Sequence, residues 1–116
     1  MSKKKDQIFN ISPFDKLSEE GRSFLLEKIE VISFNIGERL IDEEIIPGRV
    51  LIISEGYARN LFRDNGKLKN FKKCEFGEII GASSIISGQP CENFSAGQGL
   101  IAFSLDLLIK SNASGN

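Results

Sequence analysis

The sequence predicts a mainly β domain, a sandwich or barrel of about eight short strands behind one N-terminal helix. Three observations predict it. Glycine-centred turn signals recur at intervals of about 8–12 residues from Gly37 onward. At Val31 the apolar period changes from helical to alternating, with Ile32, Phe34 and Ile36 separated by Ser33 and Asn35. Asp64-Asn65-Gly66 sits between two strand-like arms, and Asn and Gly are the residues that tolerate the positive φ of a tight hairpin.

Taken in order, Ser12-Pro13-Phe14-Asp15 reads as a helix start, with Ser as cap and Pro in the first turn. Ser18 is a second cap candidate, and Glu19 and Glu20 place negative charge where a helix N-terminus favours it. Leu17, Phe24, Leu25 and Ile29 carry helical spacing to about Glu30. After the Val31 strand and the Gly37-Glu38 turn, Leu40-Ile41 begins a short strand that stops at Asp42-Glu43-Glu44. Pro47-Gly48 turns the chain into Val50-Leu51-Ile52-Ile53, whose unbroken apolar run predicts a strand covered on both faces. Glu55-Gly56 ends it. The hairpin arms run from Tyr57 to Phe62 and from Lys67 to Phe71; Phe76–Gly81 holds a short strand between glycines. Phe94 to Ala96 and Leu100 to Leu105 complete the set.

Composition excludes several function classes. The net charge of −1 gives no overall field for nucleic acid or an anionic membrane. The Lys3-Lys4-Lys5 cluster is a phosphate or lipid contact or, the favoured reading, a solvated, frayed terminus. There is no histidine, which removes the commonest general base, zinc ligand and triad partner together. Two cysteines, Cys74 and Cys91, make neither a disulfide framework nor a metal knuckle. No apolar run is long enough to span a membrane and no signal-peptide stretch follows the basic start, so the Asn-x-Ser sites at Asn10, Asn93 and Asn112 carry little weight. The expectation is a reduced, cytoplasmic, non-catalytic domain with no cofactor and no metal.

The order of these signals resembles the cyclic-nucleotide-binding domain family, the jelly-roll-like β-roll of catabolite activators, kinase regulatory subunits and gated channels. The resemblance covers Phe14 to about Leu108. It rests on Phe14-Asp15-Lys16-Leu17 before the helix, Gly37-Glu38, Pro47-Gly48 and Ile52-Ile53-Ser54-Glu55-Gly56-Tyr57-Ala58-Arg59, then on Phe76-Gly77-Glu78-Ile79-Ile80-Gly81 and Gly88-Gln89-Pro90. It implies a β-roll with a short cassette helix and a short C-terminal helix.

In that family a phosphate-binding cassette grips the ligand. Backbone N–H groups at the start of a short helix receive the cyclic phosphate, an arginine clamps it, and a glutamate holds the ribose hydroxyl. The ungapped register places the cassette on Gly81-Ala82-Ser83-Ser84-Ile85-Ile86-Ser87-Gly88-Gln89-Pro90-Cys91, with Glu92 following. Gly81, Gly88 and Pro90 match; Ala82 stands at the glutamate position and Cys91 at the arginine position. Putting the glutamate on Glu78 instead needs four extra residues before Pro90. Losing both side chains forfeits roughly 5–9 kcal/mol, while micromolar affinity is only about 8 kcal/mol in total. Tight binding of cyclic AMP or cyclic GMP is therefore not expected. The string from Gly81 to Glu92 also resembles degenerate cassettes at the N-terminus of bacterial peptide-exporting ABC transporters, which implies a place at the cytoplasmic face of the inner membrane.

Within the degenerate pocket each residue has two readings. Ser83 and Ser84 either donate to an anion or cap their own turn. Cys91 is a reactive thiol or a small inert pocket residue. Glu92 repels a phosphate or faces water. Arg59 reaches the roll interior or snorkels to solvent. The Asp42–Glu44 run holds a divalent cation or is a solvated loop. The nine phenylalanines form an exposed docking patch or, for the most part, core.

The domain plan is a flexible arm over 1–11, the β-roll over 12–110 and a disordered tail over 111–116. Asp106 caps at most a one- or two-turn helix through Lys110, leaving apolar surface around Leu107 and Leu108 for the remainder of a longer chain, a protein partner or a second copy. The leading function is a regulatory or docking module within an ABC-type transporter, with no nucleic-acid partner and no membrane insertion. The alternative is a sensor of a different small anion or metabolite. A third reading, an enzyme on a jelly roll like the metal-dependent cupins, is disfavoured by the missing histidines.

Overall fold

The Val50–Ile53 run organises the molecule. In the computed structural model, which describes residues 5–42, 47–89 and 92–106, it lies in β3 (Arg49–Glu55). Leu51 and Ile53 face one hydrophobic cluster and Ile52 the other, so the strand is covered on both sides. The elements before it are helix α1 (Glu19–Lys28), β1 (Ile29–Ser33) and β2 (Arg39–Ile41). After it come β4 (Ala58–Asp64), β5 (Lys67–Cys74), β6 (Ile79–Ile80), helix α2 (Ala82–Ser87), β7 (Phe94–Ala96) and β8 (Ile101–Asp106).

These eight strands form two four-stranded antiparallel sheets. The first has the order β1-β8-β3-β6 and the second β2-β7-β4-β5. Their facing sides enclose the main core, from Phe34, Ile41, Leu51 and Ile53 to Phe94, Leu100 and Ala102. The outer side of the first sheet carries the row Val31, Phe103, Ile52. Ile8, Ile11 and Leu25 close over it as a second core. The mainly β architecture, the N-terminal helix and the cassette helix are as the sequence predicts. The hairpin turn has Asn65 and Gly66 both at positive φ, which matches the right-handed twist of its arms.

Several details differ. The helix begins at Ser18, whose Oγ accepts from the Gly21 N–H at 3.1 Å. Phe14–Lys16 is only a 3₁₀ turn, and no side chain caps it. The helix stops at Lys28 because Ile29 pairs with Leu105 and is buried in the second core, which outweighs one more residue of helix. Phe24 is exposed, with Lys28 Nζ 5.4 Å from its ring. The expected flexible arm does not fit residues 7–11: Gln7–Asn10 is a 3₁₀ turn, and Ile8 and Ile11 are buried, since two β-branched apolar residues there cover the outer sheet. The phenylalanines divide: Phe34, Phe94 and Phe103 are core, while Phe24, Phe62 and Phe76 are exposed. Asp106 is the last residue of β8. The expected C-terminal helix, the Leu107–Leu108 surface and the tail lie outside the described residues, as do Lys3, Lys4, Glu43, Glu44, Pro90 and Cys91. Among the described residues no helix is long and apolar enough to cross a membrane.

Candidate functional site

The cassette is set by Gly81. Its φ is +98°, and an added Cβ would stand 2.9 Å from Ile41 Cδ1 and 3.1 Å from the Arg49 carbonyl oxygen. Only glycine fits such a conformation at such a wall. The consequence is chemical as well as steric. Gly81 is the N-cap of α2 and has no side chain with which to satisfy the first-turn N–H groups. At the other end Gly88 closes the helix in the left-handed region, its N–H donating to the Ser84 carbonyl at 2.9 Å. The Ser87 hydroxyl accepts from the Gln89 N–H at 3.2 Å and pins the following turn.

An acceptor for the first turn comes from beyond the cassette. Glu92 Oε1 accepts from the Ser84 N–H at 3.0 Å and from the Ser84 hydroxyl at 2.7 Å. Ser84 is fully buried and Glu92 half-buried. Both are charge-assisted hydrogen bonds, the stronger kind. Ser84 thus donates to an anion, and the anion belongs to the chain itself. Ser83 and Ile86 point outward and are exposed, and Ala82 is half-buried.

Arg49 flanks Gly81 and also helps line a cavity of about 310 Å³ with Glu30, Gly48, Ser104 and Asp106. Two carboxylates against one guanidinium give that lining no preference for a phosphate. Arg59 does not reach the roll interior. Its neighbour Ala58 faces the core, and Arg59 Nη2 donates to Tyr57 Oη at 3.2 Å on the opposite side of the sheet. Cys74 is buried beneath the second sheet. Burial, with a Glu78 hydrogen bond, pushes its thiol up to about 11, so it is not a thiolate nucleophile at neutral pH. Among the described residues no three His, Cys, Asp or Glu side chains gather where they could hold a metal.

Sequence reading found Ser84 and Glu92 but did not join them. They are eight residues apart, and the connection depends on how the chain returns after Gly88. It also missed Tyr57, Arg39 and Lys73, which gather around Arg59 and Ser95 on the outer face of the second sheet.

Neither a family model nor a curated protein matches the sequence. Solved structures do. The regulatory domain of Toxoplasma gondii PKA, crystallised with cAMP, superposes with a TM-score of 0.79 over 99% of this chain and 50% of its own, at 17% identity. The fold is that of the cyclic-nucleotide-binding domains. The regulatory subunit of a cAMP-independent protein kinase A from Trypanosoma cruzi, bound to guanosine, gives 0.80 over 91% of this chain and 39% of its own, at 19% identity. A cyclic nucleotide-binding-like protein from Brucella abortus gives 0.74 over 96% of this chain and 99% of its own, at 16% identity. The chain spans half or less of the length of the two kinase regulatory proteins.

Proposed function

We propose that this chain is a non-catalytic regulatory or docking module of the cyclic-nucleotide-binding-like type, whose cassette is filled by its own carboxylate and does not take cyclic AMP or cyclic GMP at low micromolar concentration. The observation that carries this reading is the seat of Glu92 on the Ser84 N–H and hydroxyl. The resemblance puts the cyclic phosphate at the start of the cassette helix. A phosphate about 4 Å from a carboxylate would meet a repulsion of about 4 kcal/mol at an effective dielectric constant near 20. That is close to a thousandfold in affinity, added to the loss of the clamp at Ala82 and Cys91. The transporter context is part of the proposal, supported by the resemblance of Gly81–Glu92 alone, and reading the gene product past Asn116 tests it.

Isothermal titration with cyclic AMP and cyclic GMP tests the cassette. The expected result is no heat of binding for the wild type, and measurable binding once Ala82→Glu, Cys91→Arg and Glu92→Ala are combined. A wild-type Kd below about 10 μM overturns the proposal; a folded triple variant with no gain overturns the cassette register. One observation favours a second reading. The T. cruzi protein is described as cAMP-independent and bound to guanosine, a nucleoside without a phosphate. A sensor of that kind of metabolite would escape the repulsion by Glu92, and titration with guanosine separates it from a ligand-free module.

A further inference from the structure

The second sheet carries a continuous cationic row on its outer face. Arg39 pairs with Ser95, Ser95 with Arg59, and Arg59 with Lys73, so one cross-strand row crosses all four strands. The adjacent row, Ala96, Ala58 and Cys74, is buried in the core, so the Arg39–Lys73 row looks outward. Arg39 and Lys73 are exposed; Ser95 and Arg59 are half-buried. Like charges directly opposite one another destabilise a sheet, and here Arg59 faces Lys73. Nearby lysines are neutralised, Lys69 by Asp64 at 3.1 Å and Lys72 by Glu78 at 3.8 Å. No carboxylate among the described residues forms an ion pair with Arg39, Arg59 or Lys73.

The row is also held in place. The Tyr57 ring lies across Gly97, where an added Cβ would sit 2.1 Å from it. Arg59 donates to the Tyr57 hydroxyl and stands 5.6 Å from the ring centroid, and Lys73 Nζ stands 4.5 Å from it. Arg39 Nη2 is fixed by Asn93 Oδ1 at 3.0 Å. Long cationic side chains usually lose entropy when a partner orders them; these are already ordered, which lowers the cost of docking.

We propose that this face docks an acidic, extended segment of a partner protein. Its carboxylates sit on the Arg59–Lys73 pair and on Arg39, with the Ser95 hydroxyl between. Arg39 and Arg59 are two strands apart, roughly 10 Å, and acidic side chains three residues apart on an extended polyproline-II segment return to the same side about 9 Å apart. A nucleic acid fits less well. Three cations in one short row meet few phosphates and release few counterions. The proposal goes beyond the cassette reading and stands whether or not Glu92 excludes a nucleotide.

A blocked hexaglutamate peptide tests it at low salt. Tyr57 is the only tyrosine and there is no tryptophan, so tyrosine fluorescence and the tyrosinate absorbance report on this face alone. The Arg59 hydrogen bond holds the Tyr57 hydroxyl below its usual pKa. The bound peptide should quench or shift Tyr57 emission, move the Tyr57 pKa upward, and move amide signals at residues 39, 59, 73 and 95. Arg59→Gln with Lys73→Gln should weaken binding about tenfold or more. Lys69→Gln with Lys72→Gln removes the same charge off the row and should change it less than about twofold. The proposal is overturned by no binding at about 1 mM peptide, by equal losses in the two double variants, or by tighter binding of oligothymidylate or phosphatidylserine vesicles.

Discussion

Removing the Glu92 carboxylate should loosen the start of the cassette helix, and the structure gives the scale. Ser84 is fully buried and directs both its N–H and its hydroxyl at Glu92 Oε1. Hydrogen bonds to charged groups contribute about 1.5–3 kcal/mol each, so the pair amounts to roughly 3–6 kcal/mol before compensation. Glu92 is only half-buried, and water can follow its departure to one of the two donors. The expected net loss for Glu92→Ala is about 2–3 kcal/mol, or roughly 8–12 °C in Tm for a domain of this size. Glu92→Gln keeps an acceptor and should cost roughly 1 kcal/mol; Ser84→Ala removes one donor and should cost about the same. Equilibrium denaturation of Glu92→Ala, Ser84→Ala and their double variant closes a cycle whose coupling should be about 1 kcal/mol. Hydrogen exchange adds a local readout, because the Ser84 amide should lose protection in Glu92→Ala while Phe103 keeps its own. If Glu92→Ala stays within about 0.5 kcal/mol of wild type and the Ser84 amide exchanges as before, the reasoning fails.

Gly97→Ala places a Cβ 2.1 Å from the Tyr57 ring, so the ring must leave; the cost should be about 1–3 kcal/mol, seen in thermal melts together with altered tyrosine emission. The Cys74 thiol is raised from 9.0 to about 11, chiefly by burial and then by Glu78, so in a Cys91→Ser background it should resist thiol reagents at pH 8 until the chain unfolds. Because the folded chain keeps that proton longer than the unfolded one, stability should fall as pH rises from 9 toward 11, and Cys74→Ala should flatten the slope. Ser54 Oγ is buried with no hydrogen-bond partner among the described residues, so Ser54→Ala should leave Tm unchanged or raise it, which a melting curve checks.

What was legible in the sequence follows from how local each signal is. The hairpin could be read because Asn65 and Gly66 take positive φ whatever surrounds them, and β3 because a four-residue apolar run needs cover on both faces. The end of α1 could not be read. Ile29 fits the helical stripe, but its pairing with Leu105, more than seventy positions away, decides its place. The same reason hid the burial of Ile8 and Ile11, which cover a sheet assembled from much later segments. The basic row is dispersed over four strands as single residues, so no stretch of sequence looks basic there; only the register brings Arg39, Arg59 and Lys73 together.

The cassette shows how far a local signal can carry and where tertiary structure has to finish the argument. Gly81 could be read as a fixed corner, and from it follows a six-residue helix with no side chain at its N-cap. A helix that short is unstable alone and depends on packing or on an anion at its first turn. Where a ligand supplies the anion, the order of the cassette rises with the logarithm of ligand concentration once the site begins to fill. Where Glu92 supplies it, the acceptor is tethered eight residues from its donor and is present in every molecule, so under the proposed reading the cassette keeps one arrangement at any nucleotide concentration. On the proposed reading the module has no nucleotide-dependent order to transmit through its cassette, and a state that it relays enters elsewhere. The outer side of the second sheet, whose cations are ordered and form no ion pair with a carboxylate among the described residues, is the face on which we propose that an acidic partner delivers it.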